Sequence, residues 1–266
     1  MKDIAADCLA EHRALADLCD ELTAEQWRQH TRFHGWTPWD EIAHLLFFDE
    51  TGLQALTDPP RFKADTETLY RELATGKEIS ALARGKYSQL DGMALLGLWR
   101  QRNSALAATL SGMDPKARIP WYGPTMSARS FATARLMETW AHGQDIWDML
   151  DRDRGDGPGL RHIAHLGVTT YGWTFVNRKL PVPQPAPYVE LQASDGNLWT
   201  WGEPSDEHYV RGPALDFALL VTQRRHRADT QLEWSGAAAD QWTQHAQCFA
   251  GEPAQGPAPG VRARRR

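Results

Sequence analysis

The stretch LMETWAHGQDIWD places a glutamate, a histidine and an aspartate, Glu138, His142 and Asp145, among two tryptophans and several aliphatic side chains. At about 100° of turn per residue Glu138, His142 and Asp145 fall within roughly 60° of arc on a helix, so they share one face. Phe131 and Met149 lie on that face too, which turns it toward a core. A buried carboxylate and imidazole need partners or a cation, because desolvation without either costs several kcal/mol. Taken alone, a Glu-x-x-x-His pair is more often a surface hydrogen bond or a satisfied core histidine than a pair of ligands. A second anchor changes that balance. In IAHLLFF, Ile42 to Phe48, His44 is the one polar side chain, walled by Phe47 and Phe48, and a helix apolar nearly all round is buried. His44, Glu138 and His142 can therefore converge from two helices. Two histidines and a glutamate are the ligand set of zinc sites that keep a fourth position for water or substrate. The expected ion is zinc, with nickel the alternative among borderline cations. Asp145, one turn beyond His142, would orient a ligand imidazole or activate bound water. Trp36, Trp39, Trp140 and Trp147 flank these residues, either lining an apolar pocket or packing helices together.

These groups need helices to carry them, and the first 180 or so residues read as one helix after another. Ile4, Cys8, Leu9, Leu15, Leu18 and Leu22 give residues 3–21 a stripe of period 3.6. Thr37 caps a second helix, with Pro38 in its first turn and Asp40 three residues after the cap. That helix runs to about Leu56, where Asp58-Pro59-Pro60 stops it. Tyr87 to Leu110 reads as a third, a segment capped by Ser127 and running to about Leu150 as a fourth, and Gly159 to Val176 as a fifth. No paired strands are expected in the first 150 residues. Composition then changes: Pro181 to Tyr188 reads as a stiff linker, and YVELQAS and NLWTWG alternate around Asp195-Gly196 as a hairpin. A helix from Gly212, a strand in TQLEWSG and a last helix in AADQWTQHAQCFA complete the pattern. The expectation is an α+β protein: an up-down helical bundle over residues 1–180, a small α/β domain over 186–252, and a disordered tail over 253–266.

At 266 residues against roughly 150 per domain, two domains are expected. The charge of −5 excludes bulk electrostatic binding to nucleic acid or membrane surfaces, and the four arginines of the tail read as solvated. A small-molecule substrate fits better. The amino-terminal stretch MKDIAADCLAEHRALADLCDEL has acids scattered through it and does not read as a signal peptide. Cys8, Cys19 and Cys248 are too few and scattered for a disulfide framework, so the reading is a cytoplasmic protein. Monomer and homodimer both remain open.

WTPWDEIAHL, followed some 90 residues later by RLMETWAHGQDIWD, resembles the DinB-like metalloprotein superfamily. Within it the chain is similar to the mycothiol-dependent maleylpyruvate isomerases and to an actinobacterial branch of metal-binding proteins of unknown activity. The helix-two histidine of that family matches His44 and its Glu-x-x-x-His matches Glu138 and His142, the set already reached by spacing. DGNLWTWG and VRGPALDFALLVTQRR resemble the small carboxy-terminal domain of those isomerases. An arginine after its helix contributes to their active site; Arg224 or Arg225 is the counterpart, although QRRH departs from a Gly-Arg pattern. The resemblance implies a metal-dependent enzyme that uses mycothiol, or a similar low-molecular-weight thiol, on a small electrophile, as isomerase or S-transferase. The alternative is a non-catalytic module that binds metal or a small ligand.

Overall fold

Helix α2 (Pro38–Thr57) starts where its sequence says it should. Thr37 Oγ1 accepts from the Asp40 amide at 3.3 Å, and the Thr37 amide donates to Asp40 Oδ2 at 2.9 Å, so two otherwise orphaned amides are satisfied. The structure is a computed structural model that describes residues 1–262. Before α2 stand α1 (Lys2–Asp20) and a single 3₁₀ turn (Gln26–Arg28). Asp58-Pro59-Pro60 ends α2 and at once begins α3 (Pro59–Leu73), with Asp58 Oδ1 accepting from the Arg61 amide. Proline lacks the N–H that a helix interior needs and a first turn does not, so one motif serves as stop and start. The helix expected over Tyr87 to Leu110 begins five residues later, as α5 (Gly92–Ser111), because Asp91 caps it through the Ala94 amide at 2.8 Å, and a separate α4 (Ile79–Tyr87) precedes it. Helix α6 (Ala128–Met149) follows Ser127, whose Oγ accepts from the Ser130 amide.

Between α5 and α6 the expectation of no paired strands fails. Strands β1 (Arg118–Ile119) and β2 (Met126–Ser127) pair antiparallel in a short hairpin. Two residues a side are too few to leave an alternation pattern in the sequence. Helix α1 packs on α5 and α6, and α2 packs on the same two. Leu15, Ile42, Leu46, Leu95, Trp99 and Leu136 fill the space between them. Asp49 and Arg135 also lie in that core, paired at 2.9 Å, with Trp99 Nε1 donating to Asp49 Oδ2 at 2.8 Å.

This first compact unit spans Met1–Met149 and the second begins at Leu150, not near residue 180. The reason is packing: α7 (Leu160–Thr169) lies on α9 (Ala214–Val221), and α8 (Tyr171–Val176) on α10 (Ala237–His245). The fifth helix is thus two helices. Thr170 Oγ1 donates to the Leu166 carbonyl at 2.7 Å, the kind of hydroxyl-to-backbone bond that competes with helix continuation. The proline-rich stretch is internal to this unit, with Tyr171 Oη donating to the Pro183 carbonyl.

The sheet of the second unit has the order β4-β3-β5-β6, formed by β3 (Tyr188–Gln192), β4 (Leu198–Trp201), β5 (Tyr209–Pro213) and β6 (Glu233–Ser235). Strands β3 and β4 form the expected hairpin, Gly196 taking φ +85° at its turn, and β3 runs parallel to β5. The tail over 253–262 is not disordered. Arg178 Nη2 and Gln223 Nε2 both donate to the Ala254 carbonyl, the Gly260 amide donates to Asp229, and Arg262 is buried with Nη1 on the Gln223 carbonyl. Hydrogen bonds to a pre-formed surface order a sequence that composition alone reads as solvated. Residues 263–266 lie outside the described residues. Among the described residues no helix is long and apolar enough to cross a membrane. Cys8, Cys19 and Cys248 are all buried and form no disulfide.

Candidate metal centre

His44 comes from the middle of α2, and Glu138 and His142 come from successive turns of α6, so the packing of α2 on α6 brings the three together. Glu138 Oε2 stands 3.3 Å from His142 Nε2 and 3.7 Å from His44 Nε2, and the ligand atoms of all three lie within 4.8 Å of one another. Two atoms each 2.0–2.1 Å from a tetrahedral zinc are about 3.3 Å apart. The donor set therefore fits a divalent cation in both identity and spacing. Burial opposes the charged form of Glu138, yet the imidazoles of His142 and His44 beside it hold its carboxyl well below the ordinary range. A carboxylate that stays ionised in such a place is what a cation needs. The site is not sealed: the side chains of Glu138 and His44 keep 26% and 16% of their exposure, His142 only 7%.

The two imidazoles are held by different means. His142 Nδ1 lies 2.7 Å from Glu41 Oε2, and Thr31 Oγ1 donates to the other oxygen of Glu41 at 3.3 Å. With Nδ1–H directed at Glu41, the Nε2 lone pair faces Glu138, the carboxylate–histidine arrangement that orients metal-binding imidazoles. His44 Nδ1 is buried and has no hydrogen-bond partner among the described residues. Rings confine it instead: Phe48 edge-on at 4.8 Å and Trp36 tilted at 5.3 Å, with Trp36 also lying parallel to His142 at 5.7 Å.

Glu41 is the residue that the sequence reading missed. It is fully buried, and the signal was partial: a glutamate three residues before His44 lies on the same side of the helix. Asp145 is fully buried and brings a carboxylate oxygen within 4.8 Å of ligand atoms of Glu41 and His142, so it belongs to a second donor cluster that shares His142 with the first. Of the flanking tryptophans, Trp36 touches both ligand rings. Trp39 donates to the Leu90 carbonyl and Trp140 is fully buried, which makes both of them packing residues; Trp147 is half-buried. Arg224 and Arg225 lie in the second unit, in the turn after α9, where both amides donate to the Leu219 carbonyl and both side chains are buried. Their Nη1 atoms donate to the carbonyls of Thr222 and Arg224 respectively.

Comparison with known proteins shows the family. Residues 8–147 match the mycothiol maleylpyruvate isomerase N-terminal domain. Two uncharacterized proteins of Mycobacterium tuberculosis, from strains CDC 1551 / Oshkosh and ATCC 25618 / H37Rv, are each 38% identical over 251 residues, 94% of this chain and 96% of theirs. The crystal structure of the mycothiol-dependent maleylpyruvate isomerase is similar in fold, with a TM-score of 0.51 at 17% identity over 82% of this chain and 86% of that one. A histidine mutant of that isomerase gives the same TM-score at 16% identity. The chain belongs to the mycothiol maleylpyruvate isomerase N-terminal domain family.

Proposed function

We propose that this protein is a divalent-metal-dependent enzyme that acts on a small electrophilic metabolite with a low-molecular-weight thiol of the mycothiol type, as an isomerase or S-transferase. The observation that carries the reading is the triad His44, Glu138 and His142, with ligand spacing and with Glu138 and His44 partly exposed. A bound zinc or nickel ion supplies Lewis acidity, which lowers the pKa of a thiol or polarises a carbonyl. The protein's own residues do the rest. His44, Glu138 and His142 would hold the ion, and Glu41 keeps His142 in the tautomer that leaves Nε2 available. Trp36 and Phe48 keep water from the imidazole faces. Asp145 would hold or move a proton beside His142.

The all-buried cluster Glu41, His142 and Asp145 favours a second reading, a non-catalytic metal-binding module with a closed site. One experiment separates the two. Metal content after dialysis, measured on the wild type, His44→Ala and Asp145→Asn, should show about one ion per chain in the wild type and in Asp145→Asn and none in His44→Ala. Metal kept by His44→Ala and lost by Asp145→Asn would move the ion to the closed cluster and end the catalytic reading.

A further inference from the structure

Tryptophans and phenylalanines of this bundle fall into two populations. Trp99, Trp140 and Phe131 are fully buried, as core packing requires. Trp36, Phe48, Trp121 and Tyr122 keep part of their surface open, and they form a continuous run that begins on the metal-site imidazoles. Trp36 contacts both ligand rings, Phe48 contacts His44 at 4.8 Å, and Tyr122 stands edge-on to Phe48 at 5.7 Å, with Trp121 at 6.2 Å. Core packing explains the first population and not the second.

The run is held in place from behind. Tyr122 and Trp121 sit on the β1–β2 connection, where Tyr70 Oη donates to the Tyr122 carbonyl and Phe62 lies parallel to Trp121 at 5.7 Å and 3°. Phe131 closes the far side of Trp121 at 5.0 Å. A wall fixed in this way binds without the entropy cost of ordering its own rings. It also carries no formal charge of its own. The guanidinium of Arg135, 5.9 Å from the Phe48 ring, is buried and committed to Asp49.

We propose that Trp36, Phe48 and Tyr122 form the specificity wall beside the metal centre, and that the substrate carries an aromatic or conjugated planar body in place of a second carboxylate. The proposal rests on the enzymatic reading above and adds the chemical class of the electrophile. Aromatic rings favour offset or edge-on partners with centroids roughly 4.5–7 Å apart, the spacing that the wall already shows among its own members.

The test uses a matched pair of trans acids, cinnamate and fumarate, titrated calorimetrically into the full-length protein as purified, with its metal content measured. Cinnamate should bind at least about tenfold more tightly than fumarate. Trp36→Ala and Tyr122→Ala should each erase most of that preference while metal content stays at the wild-type level. Phe48→Leu, which keeps apolar volume, should weaken cinnamate and leave fumarate unchanged if an alanine variant fails to fold. Equal affinity for the two acids, or an unchanged preference in the variants, overturns the wall. A wild type without metal that still prefers cinnamate would instead overturn the enzymatic reading and leave the wall standing.

Discussion

His142 directs Nδ1 at Glu41 Oε2, 2.7 Å away, while its Nε2 faces Glu138 Oε2 at 3.3 Å. One imidazole is thus clamped between two carboxylates from different helices, one that would share the metal and one that fixes the ring. Glu41→Gln keeps shape and a hydrogen-bonding oxygen but removes the charge. Metal affinity, measured by competition with a chelator, should fall by about 10–100-fold, the usual cost of losing such a partner. A cobalt-substituted protein should show an altered visible spectrum. Unchanged affinity would mean that His142 is oriented by its ring contacts alone.

Asp145 shares the His142 side of the site and is fully buried. Asp145→Asn should leave stoichiometric metal in place and lower thiol-dependent turnover by something on the order of 10², as loss of a proton-handling group does. Turnover equal to wild type would remove Asp145 from the chemistry.

The Asp49–Arg135 pair ties α2 to α6 one turn from the ligands, and neither side chain reaches solvent. Arg135→Met should cost about 3–5 kcal/mol, because it strands a buried carboxylate. Adding Asp49→Leu should recover most of the loss, since a buried ion pair and well-packed apolar side chains are often equivalent in stability. Urea denaturation of the two variants measures the difference. A double variant as unstable as the single would show that the pair contributes beyond mutual compensation.

His12 predicts an acid-labile step. Burial pushes its imidazole down to about 4, with Arg135 adding to the effect and Asp49 opposing it. The Thr139 hydroxyl, 3.0 Å from His12 Nε2, donates to the Arg135 carbonyl, so Nε2–H is the donor. The unfolded chain takes up a second ring proton near pH 6.5 and the folded one only near pH 4. The contribution to stability is therefore complete above about pH 6.5 and is lost as pH falls toward 4, about 3 kcal/mol in all. His12→Gln keeps a donor to Thr139 and does not titrate. Its unfolding free energy should fall less steeply than that of the wild type between pH 6.5 and 4. Parallel slopes would show that His12 does not set the response.

The convergence of His44, Glu138 and His142 was legible because each part has a local signature: a lone histidine in an apolar stretch of helix and a Glu-x-x-x-His pair on one helical face. Glu41 was not, because three residues of spacing say that it shares the face of His44 but not that His142 waits across the helix interface. Caps were legible at Thr37 and Ser127, where one side chain and one amide a turn away decide the outcome. At Asp91 and Asp58 the same chemistry was present, but apolar periodicity on both sides of Asp91 reads as continuous, and prolines after Asp58 read as an ending only.

Sequence alone determined the class of elements, the α+β order, the hairpin at Asp195-Gly196 and the three candidate ligands, since each depends on residues within a few turns or strands of one another. Tertiary structure decided where the two units divide, which residue braces His142 and which aromatic rings reach the site. Those outcomes depend on which faces meet. Helices α7 and α8 have apolar stripes that would suit a bundle or a sheet equally well, and only packing on α9 and α10 assigns them to the second unit.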